Sequence, residues 1–117
     1  MSKKIMVFEN PFFHKGINVT VRRDRNWFSL LKKDETFEMS DIDMHNIGYG
    51  IVVEKACLYY KDIPEEIIAL EHNPEGRTKQ SLLCLLKKIY KDFSYDELVT
   101  VIQFKYLGPN NEKTTNE

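Results

Sequence analysis

Two stretches of the chain gather side chains that could do chemistry. Between residues 70 and 78 the run LEHNPEGRT crowds Glu71, His72, Glu75, Arg77 and Thr78 into a short segment containing proline and glycine. Loops dense in ionisable groups are where binding and catalysis concentrate, because a rigid scaffold can present them to a ligand. Glu71 or Glu75 could act there as a general base, given a substrate and a group to polarise its carbonyl. The simpler role for Glu75 is electrostatic, since negative charge is favoured just before a helix. As metal ligands the group is poor: one histidine and two carboxylates, with no second histidine at helical spacing, so neither metal nor cofactor is expected.

The second stretch is INVTVRR, residues 17–23. A strand's period of two sends Ile17, Val19 and Val21 to one side and Asn18, Thr20 and Arg22 to the other, as in a half-buried strand. A row of amide, hydroxyl and guanidinium can select a ligand in a way a purely charged edge cannot. Arg22 is expected to face a cleft and Arg23, by parity, the surface. Trp27, the chain's one tryptophan, can be read as a core residue or as a platform for a stacked base. No Ser-His-Asp order, GxSxG elbow, P-loop or GxGxxG is present. His14 and His45 stand alone and read as turn or surface residues.

The elements that must position these groups follow from local pattern. KIMVF (4–8) reads as a first strand ending at Asn10-Pro11, because proline excludes the helical conformation from the residue before it. NWFSLLK (26–32) places Trp27, Leu30 and Leu31 at helical spacing. DETFEMSD (34–41) alternates Thr36, Glu38 and Ser40 against Phe37 and Met39. Residues 49–60 form a longer strand whose parity switches around Glu54-Lys55, the mark of a bulge that curls a sheet. DIPEEIIALEHNP predicts a helix capped by Asp62, boxed by Glu65 and stopped at Asn73-Pro74. A second helix runs through RTKQSLLCLLKKIYKDF, with Thr78 as cap and Leu82, Leu85, Leu86, Ile89 and Phe93 as its apolar stripe. DELVTVIQFKYL is apolar on both faces and so predicts a central strand. The order of strands, two helices and a closing strand predicts an α+β domain with a small curved sheet or barrel.

The 117 residues, 42% apolar and 30% charged, suit one soluble globular domain. It is expected over residues 1–107, with 108–117 a disordered tail lacking core-forming residues. Cys57 and Cys84 are far apart and read as small buried hydrophobes in a reducing compartment. No signal-like or membrane-length apolar segment occurs, so a cytoplasmic location is expected. The net charge of −1 hides a basic block over residues 14–33 and an acidic one over 34–45. The two blocks either form separate patches, the basic one drawing phosphates, or pair across a hairpin.

Taken together, KGINVTVRR, EHNPEGRT, LLKKIY and VIQFKYL resemble, in order, the ASCH domain family, relatives of the PUA RNA-binding fold. Within it they are similar to short bacterial proteins that hydrolyse N4-acetylcytidine. The resemblance implies a PUA-like barrel of about five to six strands with two or three helices. It also implies a cleft between INVTVRR and the inter-helix loop, suited to RNA or to a modified nucleotide or nucleoside. In the amidohydrolase relatives a lysine, a threonine and a glutamate form the catalytic set. Thr20 matches the threonine and Glu75 best matches the glutamate, but Ile17 stands where the lysine is expected, and the nearest lysine is Lys15. An apolar side chain cannot replace an amine that moves protons or attacks a carbonyl. Binding is therefore the first expectation, through Asn18, Thr20, Arg22, Trp27, Glu71 and Arg77. Hydrolysis through Thr20, Glu75 and Lys15 is the second, and a protein-interaction adaptor using the acidic block the third.

Overall fold

The computed structural model describes residues 4–109. Its strands are β1 (Ile5–Val7), β2 (Ile17–Arg23), β3 (Thr36–Ser40), β4 (Asn46–Tyr59) and β5 (Leu98–Gly108). Its helices are α1 (Asn26–Leu30), α2 (Glu65–Ile68) and α3 (Lys79–Ile89). The strands form one mixed sheet in the order β1-β3-β4-β5-β2, parallel only between β1 and β3. The result is an α+β half-barrel, as expected. Among the described residues no helix is long and apolar enough to cross a membrane.

Both faces of the sheet are buried, and this decides where the site lies. Val19, Val21, Val99 and Val101 join Tyr60, Ile68, Leu82, Leu86 and Phe93 in one core beneath α2 and α3. On the other face Ile102 and Phe104 meet Phe8, Phe37, Met39, Val52 and Leu31 inside the curve of the sheet. β5 contributes to both, which is why its sequence is apolar on both parities. The same double burial overturns the half-buried reading of β2: Asn18 and Thr20 are only 0% and 2% exposed.

The pairing of β4 with β5 slips between Val52 and Glu54, just before the parity switch seen in the sequence. Bulges of this kind bend the bulged strand and strengthen its twist. At Gly50, opposite Phe37, a Cβ would stand 2.8 Å from the buried Phe37 ring and 3.3 Å from Phe104. Gly50→Ala is expected to cost about 1–3 kcal/mol by overpacking, read as a lower denaturant midpoint with an unchanged m-value.

Three expectations need correction. The helix predicted to run to Asn73 ends at Ile68, and Asp62 does not cap it. Asp62 closes a 3-10 turn over Tyr60–Asp62, and Pro64, in an extended conformation, takes the cap position. The basic and acidic blocks are not hairpin partners either, because β2 pairs with β5 and β3 with β4. Nor are the cysteines buried, Cys57 being half-buried and Cys84 exposed. β5 ends at Gly108, and residues 110–117 of the expected tail lie outside the described residues. The Thr78 cap, by contrast, is present: its hydroxyl accepts from the Ser81 N–H and the Ser81 hydroxyl from the Thr78 N–H, both at 3.1 Å.

Candidate functional site

After α2 the backbone becomes extended and lies alongside β2. The Val19 N–H donates to the Leu70 carbonyl and the His72 N–H to the Val19 carbonyl, each at 2.9 Å. That pairing is the physical reason α2 stops short. It also brings Glu71 and His72 to the strand that carries Thr20 and Arg22. Arg77 Nε donates to the Glu71 carbonyl at 2.8 Å, and His14 Nε2 to the Leu70 carbonyl at 2.9 Å, so both arms of the loop are held.

A cavity of about 480 Å³ opens here, a size usual for small-molecule sites. Its buried lining includes Thr20, Glu71, His72, Asn73 and Phe8, and Arg22 lies among them. The apolar side is made by Leu82, Leu85, Leu86 and Ile89 of α3, with Val7, Ile42 and Tyr90. The α3 stripe read from the sequence therefore has two roles. Leu82 and Leu86 enter the core, whereas Ile89, 48% exposed, faces the cavity mouth.

Arg22 ties the two edge strands together. Its Nε donates to Thr20 Oγ1 at 3.0 Å and its Nη1 to the Val7 carbonyl at 2.8 Å, with the guanidinium carbon 4.6 Å from the centre of the Phe8 ring. Burial lowers its pKa from the usual arginine value. The side chain nevertheless stays charged, because that value lies so far above neutrality. Arg23 points away by parity, as expected, and is held by Glu97 and Asp92 against the Tyr90 ring.

Glu71 and His72 share one proton in a defined way. His72 Nδ1 lies 3.1 Å from the Phe12 carbonyl oxygen, which can only accept, so Nδ1 carries a hydrogen. His72 Nε2 lies 3.2 Å from Glu71 Oε2. Burial pushes the His72 pKa down to about 4 and the Glu71 pKa up to about 8, the latter against the opposing pull of Arg22 and Arg77. Near neutral pH the pair therefore holds one proton besides that on Nδ1, and it lies on the contact between Glu71 Oε2 and His72 Nε2. Oε2 also accepts from the Asn73 N–H at 3.4 Å, whereas the buried Oε1 has no hydrogen-bond partner among the described residues.

Of the residues singled out in the sequence, Thr20, Arg22 and Glu71 meet in the cavity, and Glu75 reaches its rim as an exposed side chain. The other four do not line it. Lys15 is exposed beyond the turn at Gly16, and the lysine that does line the cavity is Lys88 of α3. Asn18 spends its amide on the His14 backbone, accepting from its N–H at 3.0 Å and donating to its carbonyl at 2.8 Å. Trp27 packs on the core inside the curve of the sheet. Arg77 acts on the Glu71 and His72 carbonyls. Sequence reasoning weighed His72 only as a weak metal ligand and passed over Tyr90, an aromatic residue that lines the cavity where Trp27 does not.

No family model matches the sequence, and no curated protein matches it. Solved structures resemble the fold, two of them as follows. One is a protein of Enterococcus faecalis V583 carrying the family model DUF984, with a TM-score of 0.59 and 12% identity over 86% of this chain and 68% of that one. The other is an ASCH domain from Lactobacillus crispatus JV V101, with a TM-score of 0.54 and 12% identity over 78% of this chain and 64% of that one.

Proposed function

We propose that this chain, whose fold is of the ASCH type, binds a nucleobase-containing ligand in the cavity between β2 and α3, as RNA or as a modified nucleotide or nucleoside. The observation that carries the reading is a cluster of hydrogen-bonding groups, the buried Thr20 and Glu71 with the half-buried Arg22, across a cavity of about 480 Å³ from apolar side chains of α3. A base is flat and apolar on its faces and polar only at its edge, and such a slot meets both demands. Equilibrium binding of nucleosides, nucleoside monophosphates and short single-stranded RNA at low and at physiological salt tests it. Saturable binding is expected, with the strand's affinity, but not the nucleoside's, falling as salt rises. Failure of every nucleobase-containing ligand to bind would end the proposal.

Hydrolysis of an N4-acylated cytidine is the second reading, favoured by one observation: the Thr20 hydroxyl lies in the same cavity as a carboxyl group poised to titrate near neutrality. Against it, Ile17 holds the place of an amine and Lys15 lies away from the cavity. Release of cytidine from N4-acetylcytidine, followed by chromatography and abolished in Glu71→Gln, would move hydrolysis to first place.

A further inference from the structure

We infer that the cavity is built for a heterocycle presenting a ring N–H beside a carbonyl oxygen, the lactam edge of an oxo-pyrimidine or oxo-purine. Its N–H is donated to Glu71 Oε1 and its oxygen is held by Arg22 and Thr20. The inference rests on the nucleobase-binding reading and narrows the ligand class.

The first half of the pattern is set by His72. With its Nδ1–H fixed on the Phe12 carbonyl, Nε2 faces Glu71 Oε2 3.2 Å away, and the hydrogen the two residues share lies on that contact. Whichever of the two atoms holds that proton, Glu71 Oε1 carries no hydrogen, able to accept and unable to donate. It is buried and has no partner among the described residues, which is the state of a group waiting for a ligand's N–H. The charged and titratable groups around the pair are Arg22 of β2, Arg77 before α3, His14 of the β1–β2 loop and Tyr60, with Glu75 and Lys88 on the same cavity lining. None supplies a hydrogen to Oε1.

The second half is set by Arg22 and Thr20. Thr20 Oγ1 accepts from Arg22 Nε, so the threonine's own hydrogen points elsewhere, and no acceptor for it occurs among the described residues. Arg22 spends Nε on Thr20 and Nη1 on Val7, and Nη2 donates to no described residue. Two donors thus face the same cavity. A ring nitrogen has one in-plane lone pair, whereas a carbonyl oxygen has two, so paired donors favour oxygen. A carboxylate ligand could satisfy the donors but brings no N–H for Oε1. An amino-pyrimidine brings the N–H but sets a single lone pair beside it.

Calorimetric titration with uridine, N3-methyluridine and cytidine at neutral pH tests the pattern. Uridine is expected to bind ~10- to 100-fold more tightly than either of the others, because each leaves a buried group unpaired. Glu71→Leu should bring the uridine to N3-methyluridine ratio to about one. Glu71→Gln should restore it, since a glutamine amide donates to His72 Nε2 and keeps a carbonyl oxygen in the Oε1 position. The ligand series and Glu71→Gln decide the matter even where Glu71→Leu fails to fold. Equal binding of N3-methyluridine and uridine, or tighter binding of cytidine, overturns the inference and leaves nucleobase binding standing. Binding of none of the three, nor of any other nucleobase ligand, overturns both.

Discussion

Arg22→Lys is expected to weaken ligand binding by ~10- to 100-fold, the effect of losing a charge-assisted hydrogen bond in a buried site. The charge is retained, so a loss of this size isolates the planar fork of donors. Arg22 alone reaches Thr20 Oγ1, the Val7 carbonyl and the Phe8 face at once. A lysine amine is a compact, strongly hydrated point charge and cannot make all three contacts. Stability should also fall by about 1–3 kcal/mol, because the substitution leaves a buried polar partner unpaired where β1 and β2 are tied together. Arg23→Lys is the comparison: its ion-pair partners Glu97 and Asp92 lie outside the cavity and only its contact with the Tyr90 ring touches the lining, so its effect on binding should be much smaller than that of Arg22→Lys. Loss of binding in Arg23→Lys with Arg22→Lys spared would contradict the β2 register.

Stability should also depend on pH in a way specific to the Glu71–His72 pair. Glu71 has a folded pKa raised from 4.5 to about 8, so its unfolded form ionises first as pH rises. Folding then costs more with each step of pH between these values, and stability falls through that window. His72 has a folded pKa lowered from 6.5 to about 4, so its unfolded form takes a proton first as pH falls, and stability is lost between about 6.5 and about 4. Between about 4.5 and 6.5 the two effects cancel, because the folded and unfolded pairs each hold one proton. This pair therefore contributes a plateau there and a decline of about 2 kcal/mol between pH 6.5 and 8. Denaturant unfolding of the wild type and Glu71→Gln across this range checks it. The difference between them should decline with rising pH and level off above about pH 8. A difference that stays flat through the window would mean that Glu71 is ionised in the folded protein.

These two predictions rest on residues the sequence exposed to different degrees. Arg22 was legible from parity alone, since a strand period of two fixes which side chains share a face. The central place of β5 was legible for the same reason, its apolar residues falling on both parities. The early end of α2 was not. Local pattern favoured continuing the helix to Asn73, and only the pairing of residues 70–72 with Val19, a contact between distant parts of the chain, stops it. That contact also decides between the two glutamates, burying Glu71 and leaving Glu75 at the rim. The fate of Asn18 was illegible as well: its amide type suited a ligand, but the turn at Gly16 brings the His14 backbone within reach and consumes it. The role of His72 depends on a carbonyl from Phe12, which no spacing in the sequence announces.

The most direct test of the central claim is a titration of the isotope-labelled chain with uridine, followed through its backbone amide and arginine Nε–H resonances. Saturable shifts concentrated at Thr20, Arg22, and Glu71 to Asn73, with Ile89 and Tyr90 moving alongside, are the predicted result. The absence of saturable shifts with uridine and with every other nucleoside, or shifts confined to surfaces away from β2 and α3, would contradict it.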